Sequence, residues 1–226
     1  MGHMIGEVAL ERGHSVVCAI DANNDLKIAD LRFKIFSPEE GFQSEEFRSA
    51  DVAIEFTTPL TAKDNILRAW AQGVPVVCGS TGWDAASLMA EDKRIHERPM
   101  LIWKSNFSVG VNIFFDLNKQ LASAMKSQPQ YTPSIIETHH IHKLDKPSGT
   151  AKTLAEQISA MYEGRMYDVR GEVPIESIRE GEVPGTHEVK WDSEEDTIII
   201  THIAKGRRGF ALGAVLVAED ILKEKK

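Results

Sequence analysis

The sequence predicts an α/β fold: a doubly wound parallel sheet over the first half, followed by a smaller α+β domain. Three observations carry this. Short apolar runs alternate with helical patterns up to about residue 103, the spacing of repeated βαβ units. Successive predicted strands end in small polar or acidic residues, where open α/β sheets bind ligands. Beyond residue 109 a long helical pattern leads to strands that alternate apolar and polar residues, as a half-buried sheet requires. The first half therefore reads as Rossmann-like.

In chain order, residues 2–12 carry Met4, Ile5, Val8 and Ala9 at helical spacing, with Gly13 placed as a C′ residue. Residues 15–20 form an apolar run that ends in Asp21, a parallel strand with an acid at its C-terminal end. Residues 22–49 are polar and predict no element. Strands follow over 51–56, 74–78 and 99–103, and helices over 60–71 and 85–96. A long helix is expected over 109–126, with apolar Val111, Ile113, Phe114, Leu117, Leu121 and Met125. A strand over 132–137, a helix over 151–162 and strands over 187–192 and 197–204 complete the second domain. Residues 164–185, rich in Arg, Glu, Gly and Pro, read as an extended loop. The last helix spans 211–222.

Length and composition bound the function. The chain has 226 residues, 27% of them charged and 42% hydrophobic, an ordinary globular balance with ample core. A net charge of −8 disfavours nucleic acid and anionic membranes as partners. No run approaches the ~20 apolar residues needed to span a bilayer, and no signal peptide is visible. Cys18 and Cys78 lie in separate apolar runs, as free thiols of a reducing cytoplasm do.

The strand ends supply a candidate nucleotide site: Asp21; Phe56 and Thr57; Gly79, Ser80 and Thr81; and Ser105, Asn106, Phe107 and Ser108. Singly these are ordinary turn residues; at consecutive strand ends they point to a dinucleotide. Asp21 would accept hydrogen bonds from an adenosine ribose, or else simply cap a turn. A carboxylate there opposes a 2′-phosphate, and no arginine follows within the next ten residues, so the expectation leans to NADH over NADPH. A helix such as 2–12 normally follows a strand and a G-x-G-x-x-G turn. Met1-Gly2 fits the end of that turn, with Gly2 as its third glycine, so about ten residues are expected ahead of Met1.

The densest chemistry lies at 137–151, Glu-Thr-His-His-Ile-His-Lys-Leu-Asp-Lys-Pro-Ser-Gly-Thr-Ala. Protonatable groups at a strand end lead straight into a helix N-terminus, whose free N–H groups attract anions. One reading is a polar loop. Another is a metal held by His139, His140 and His142 with Glu137 or Asp145, but adjacent strand residues face opposite sides, and no metal is expected.

These fifteen residues resemble the signature of the 4-hydroxy-tetrahydrodipicolinate reductase (dihydrodipicolinate reductase) family. The resemblance implies an NAD(P)H-dependent reductase of lysine and diaminopimelate biosynthesis, acting on a small cyclic dicarboxylate. It makes His139 the general acid and Lys143 its electrostatic partner on a carboxylate. His140, Ser148, Gly149 and Thr150 would contact substrate, Ser148 also capping the helix. It further implies a dinucleotide domain at 1–108, a substrate and tetramerisation domain at 109–207, with a hinge at 107–110, and a helix at 208–226 returning to the first domain. The assembly would be a homotetramer. Another two-domain nicotinamide dehydrogenase, or a cofactor-impaired paralogue that keeps the fold, stand as alternatives.

Overall fold

The computed structural model describes residues 1–22, 33–162 and 173–224. They form two compact units, Met1–Ser108 with Phe210–Lys226, and Val109–Gly209.

In the first unit α1 (Gly2–Glu11) ends at Arg12, and Gly13 follows with φ +85°, the left-handed conformation glycine adopts without penalty. β1 (Cys18–Ile20) pairs in parallel with β2 (Lys34–Phe36). Two short helices come next, α2 (Pro38–Gly41) and α3 (Glu45–Arg48), whose N-caps Ser37 and Ser44 accept from Glu40 N–H and Phe47 N–H. Residues 22–49, where no element was expected, thus hold a strand and two helices; residues 23–32 lie outside the described residues. Propensity misses elements of three and four residues, because pairing and capping stabilise them rather than periodicity.

β3 (Ala53–Glu55), α4 (Ala62–Ala71), β4 (Val76–Cys78), α5 (Ala85–Ile95) and β5 (Leu101–Trp103) follow, the strands parallel in the order β3-β4-β5. All three residues of central β4 are buried, which is why its sequence is uninterrupted Val-Val-Cys. Buried Asp92 locks the turn from α5 into β5, accepting from Met100 N–H and Leu101 N–H at 3.0 Å. The closing helix α8 (Arg208–Glu224) brings Glu219 against Arg12 and His14 at 2.6 and 2.8 Å.

The fold class is the expected one, with one correction. Among the described residues the parallel sheet is divided: β1-β2 and β3-β4-β5 are separate sheets. A cavity of about 610 Å³ is lined by residues of both β1 and β3, by Ile5 and Ala9 of α1, and by Val215 and Ala218 of α8. Gly2 begins α1 and lines this cavity, but nothing lies within 4 Å of where its Cβ would stand.

The second unit holds α6 (Val109–Met125), β6 (Thr132–His139), α7 (Gly149–Ala160), β7 (Ile175–Arg179), β8 (Thr186–Asp192) and β9 (Thr197–Ile203). The sheet order is β7-β6-β8-β9, with β6 parallel to β7 and antiparallel to β8. β7 corrects the extended loop expected over 164–185, of which residues 163–172 lie outside the described residues. Ile135, Val189, Trp191, Leu154 and Ile158 form the core of this unit. Fully buried Asn118 links α6 to α7 by donating to the Leu154 carbonyl (3.1 Å) and Gln157 Oε1 (3.0 Å). No helix among the described residues is long and apolar enough to cross a membrane.

Candidate active site

The buried face of the second unit's sheet is apolar along most of its length and turns polar at one end. Alternate residues of β6, namely Pro133, Ile135, Glu137 and His139, are buried, as are His187, Val189 and Trp191 of β8. The antiparallel register sets Ile135 opposite Val189 and Glu137 opposite His187. The parallel register sets His139 opposite Arg179 of β7. Side chains two apart on a strand share a face, so pairing alone gathers Glu137, His139 and His187.

Glu137 is the hub. Its side chain is fully buried, Oε1 accepts from Ser148 N–H at 3.1 Å and from Arg179 Nη2 at 3.2 Å, and Oε2 lies 2.8 Å from His139 Nδ1. That last contact has the distance but not the alignment of a good hydrogen bond, common for catalytic pairs without substrate. Burial raises the carboxyl's pKa; hydrogen bonding from Ser148 and the charge on His139 outweigh it, holding the group at about 2. Burial lowers His139, against the pull of Glu137 and with the push of Lys143 and Arg179. Burial also lowers His187, to about 4, helped by His139; its ring lies edge-on to His139 at 5.0 Å.

His139 has its other nitrogen toward Gly185, whose φ of +150° favours glycine; a Cβ there would stand 3.1 Å from Nε2. Ser148, the N-cap of α7, accepts from Ala151 N–H at 3.2 Å and reaches His187 Nε2, also at 3.2 Å. Gly149 opens α7 exposed, with nothing within 4 Å of where a Cβ would stand. The fold places no packing demand on that glycine, so the helix N-terminus stays open to an anion. Lys143 Nζ donates to Asp145 at 2.6 Å. Arg179 secures the loop between them, donating to the carbonyls of Lys143 (3.3 Å) and Asp145 (2.6 Å).

Not every expected residue joins this cluster. His140 lies half-buried just past β6, its Nδ1 buried without a hydrogen bond. His142 faces Glu182 at 3.0 Å in solvent. The histidine trio suggested by sequence is therefore not a ligand set. Among the described residues the group with metal-ligand spacing is instead Glu137, His139 and His187, whose ligand atoms lie within 4.8 Å of one another. Arg179 and Ser148 N–H already occupy one oxygen of that carboxylate. Sequence reasoning missed Arg179 and His187; the Ile-Glu-Ser-Ile-Arg alternation of 175–179 was the available signal for the first.

Unit 2 should lose stability in two stages as pH falls. His187 titrates near 6.5 unfolded and about 4 folded, so the unfolded chain takes up that proton first and stability drops between these values. The loss is on the order of 3 kcal/mol. Glu137 contributes stability that is present above about 4.5 and lost as pH falls toward 2. Calorimetric Tm against pH measures both stages, and His187→Asn should flatten the first.

In the first unit, the register Glu55↔Cys78↔Trp103 aligns the ends of β3, β4 and β5. Phe56 packs on Phe107 at 5.6 Å, and a Cβ on Gly79 would stand 2.2 Å from the Phe56 ring. Phe56, Gly79 and Phe107 thus have packing reasons of their own. Thr57 donates to the buried Glu55 carboxylate, which also holds Cys78 Sγ at 2.9 Å. The Ser80 carbonyl accepts from Trp83 and Trp103 indoles, both at 2.8 Å, while its buried hydroxyl makes no hydrogen bond. Asn106 Oδ1 accepts from Ser108 N–H at 2.9 Å. Thr81 and Ser105 are exposed, and Gly2, Asp21, Phe56 and Thr57 line the same cavity.

Comparison with known proteins is consistent across the whole chain. Residues 1–107 match the model of the dihydrodipicolinate reductase N-terminus and residues 110–226 that of its C-terminus. A 4-hydroxy-tetrahydrodipicolinate reductase of Christiangramia forsetii is 42% identical over 231 residues, covering 100% of this chain and 89% of that protein. One of Natronomonas pharaonis is 33% identical, covering 96% and 89%. Among solved structures, dipicolinate-bound dihydrodipicolinate reductase from Paenisporosarcina sp. TG-14 superposes with a TM-score of 0.71 at 21% identity, covering 97% of this chain and 91% of that one. GenD2 from gentamicin A biosynthesis, in complex with NAD, gives 0.63 at 11% identity, covering 100% and 84%.

Proposed function

The chain belongs to the dihydrodipicolinate reductase family, and we infer from its site how it carries out the family's reaction. That reaction is NAD(P)H-dependent reduction of 4-hydroxy-tetrahydrodipicolinate to tetrahydrodipicolinate in lysine and diaminopimelate biosynthesis. The observation that carries the reading is the Glu137–His139 pair beside an unobstructed helix N-terminus at Gly149.

One substrate carboxylate sits at the start of α7, held by the N–H groups of Gly149 and Thr150 and the Thr150 hydroxyl, with the helix dipole in support. Lys143 binds the dicarboxylate electrostatically; its ammonium has three donors, of which Asp145 takes one. His140 contacts the ring. The negative charge of the bound dianion raises His139 back toward neutrality. His139 then holds a proton at Nε2 and passes it to the ring nitrogen or the adjoining carbon system. Ser148 serves as cap and through His187 rather than at the substrate.

The first unit suits a dinucleotide. Asp21 follows β1 where a ribose hydroxyl donor would be met, and the orphaned Ser80 hydroxyl lies at the end of β4. Thr57, Thr81, Ser105, Asn106 and Ser108, which follow β3, β4 and β5, are the further polar residues assigned to it. Nicotinamide, when bound, supplies the hydride. The Asp21 carboxylate favours NADH over NADPH, and Asp21→Ala should narrow that preference.

Among the described residues β9 is an edge strand of the second unit's sheet, with Ile199 and Ile203 exposed. Exposed apolar residues on a free edge support association with further copies, and the proposed state is a homotetramer in the cytoplasm, with its two free thiols reduced.

A coupled assay tests the reaction: pyruvate, aspartate semialdehyde and the partner synthase, with NADH loss followed at 340 nm. Synthase-dependent oxidation is expected; its absence at saturating NADH rejects the reading. The divided sheet favours one other reading, a relative that keeps the fold but binds nucleotide poorly; an NADH titration separates the two. Gly149→Val should raise KM about tenfold or more by closing the carboxylate cradle, with kcat and Tm little changed. An unaltered KM would remove Gly149 from substrate binding.

A further inference from the structure

The reductase reading uses His139 but leaves unexplained why two more ionisable side chains, Glu137 and His187, are buried around it, with Arg179 half-buried beside them. A carboxylate with no exposure at all is costly unless it is paired and hydrogen-bonded. Glu137 meets that cost with Ser148 N–H, Arg179 and His139. A loop cap alone would need a Ser or Asp, and an exposed one. What this arrangement adds is a fixed negative charge 2.8 Å from one imidazole nitrogen, while glycine keeps the space beside the other nitrogen clear.

We propose that Glu137 is the positioning residue of this site: it holds the His139 ring with Nδ1 toward its carboxylate and so makes Nε2 the proton-delivering nitrogen. This rests on the reductase reading and deepens it. Arg179 is the counter-ion that holds the Glu137 carboxylate in place, and it ties the same carboxylate to the Lys143 and Asp145 carbonyls. His187 fills the remaining side, edge-on to His139 and bonded to Ser148. Together they link the proton donor, the charged loop and the N-cap of α7, so that donor and anion cradle are set by one carboxylate.

The groups facing His139 have opposing signs. Glu137 and Asp145 favour its charged form, whereas Lys143 and Arg179 disfavour it; His187, edge-on to its ring, is held at about 4 and is neutral where His139 titrates. Removing a negative or a positive neighbour must therefore move its titration in opposite directions, which general damage to the fold does not do. Glu137→Gln is expected to shift the alkaline limb of kcat/KM to lower pH by about 1 unit. Above the limb kcat/KM then falls about tenfold, because the imidazolium fraction is tenfold smaller. The Kd for NADH should be unchanged. Arg179→Gln should shift the limb to higher pH, and Glu137→Asp should keep it near its original position.

An unmoved limb in Glu137→Gln, or a shift in the same direction in both Gln variants, overturns the proposal. Should Glu137→Gln fail to fold, Arg179→Gln decides: an upward shift supports it and no shift overturns it. NMR titration of the His139 ring in the ligand-free chain reads the same shifts without any turnover. That readout stands even if synthase-dependent oxidation is absent, so failure of the reductase reading and failure of the positioning role are told apart. Loss of wild-type activity on EDTA treatment, restored by Zn²⁺, would place a metal on Glu137, His139 and His187 and overturn the role.

Discussion

Replacing His139 with glutamine is expected to lower kcat by roughly 10²–10⁴, the usual weight of a positioned proton donor. Glutamine keeps a polar side chain of similar reach facing Glu137, so the buried carboxylate retains a partner and the fold is spared the cost of an orphaned charge. What it cannot do is carry a transferable proton at neutral pH. The loss should therefore fall on kcat and kcat/KM together, as for a group acting only in the transition state. The first unit is untouched, so NADH binding by fluorescence titration should match the wild type. In the wild type, kcat/KM should decline as pH rises through the pKa of His139, which burial holds below its ordinary value in the free protein. In His139→Gln that limb should vanish. An unchanged kcat would take His139 out of the mechanism.

Much of this site was legible in the sequence because its parts are contiguous. A strand end, a run of ionisable residues and an N-capped helix occur within 137–151, and local rules place them: Ser148 caps α7 as a serine before a helix should. Three-dimensional pairing supplied the remainder. Arg179 reaches Glu137 because β7 lies parallel to β6 in a register that sets it opposite His139. His187 arrives from β8, fifty residues beyond Glu137 in sequence. Neither register can be read from one strand alone, because a shift of one residue would face each side chain the other way. Glu137 stood in plain view within the motif, but its role comes from complete burial, which no local pattern announces. In the first unit, long apolar runs and amphipathic helices were found with bounds accurate to a few residues. The short elements of 34–48 and the division of the sheet depend on contacts between segments and were not.

The largest stability effect is expected at Gly213, where a rule of local propensity and a rule of packing make opposite forecasts. Gly213 lies inside α8, and glycine in a helix interior is normally about 1 kcal/mol worse than alanine. On propensity alone Gly213→Ala should stabilise the protein. Yet a Cβ at this position would stand 1.6 Å from the Phe107 carbonyl oxygen and 2.7 Å from its carbon. That obstacle is backbone, and it belongs to the residue whose ring packs on Phe56, so it cannot rotate aside as a flexible side chain would. Relief requires α8 to move away from the segment after β5, which would open the contacts of Ala214 and Ala218 with Val77 and Phe107. Close packing transmits such a shift instead of absorbing it. The expected cost is about 3 kcal/mol or more, a fall in Tm of roughly 10 °C for a unit of this size. Differential scanning calorimetry of Gly213→Ala against wild type decides between the two rules: a higher Tm would mean that α8 does not approach Phe107 as closely as the structure has it.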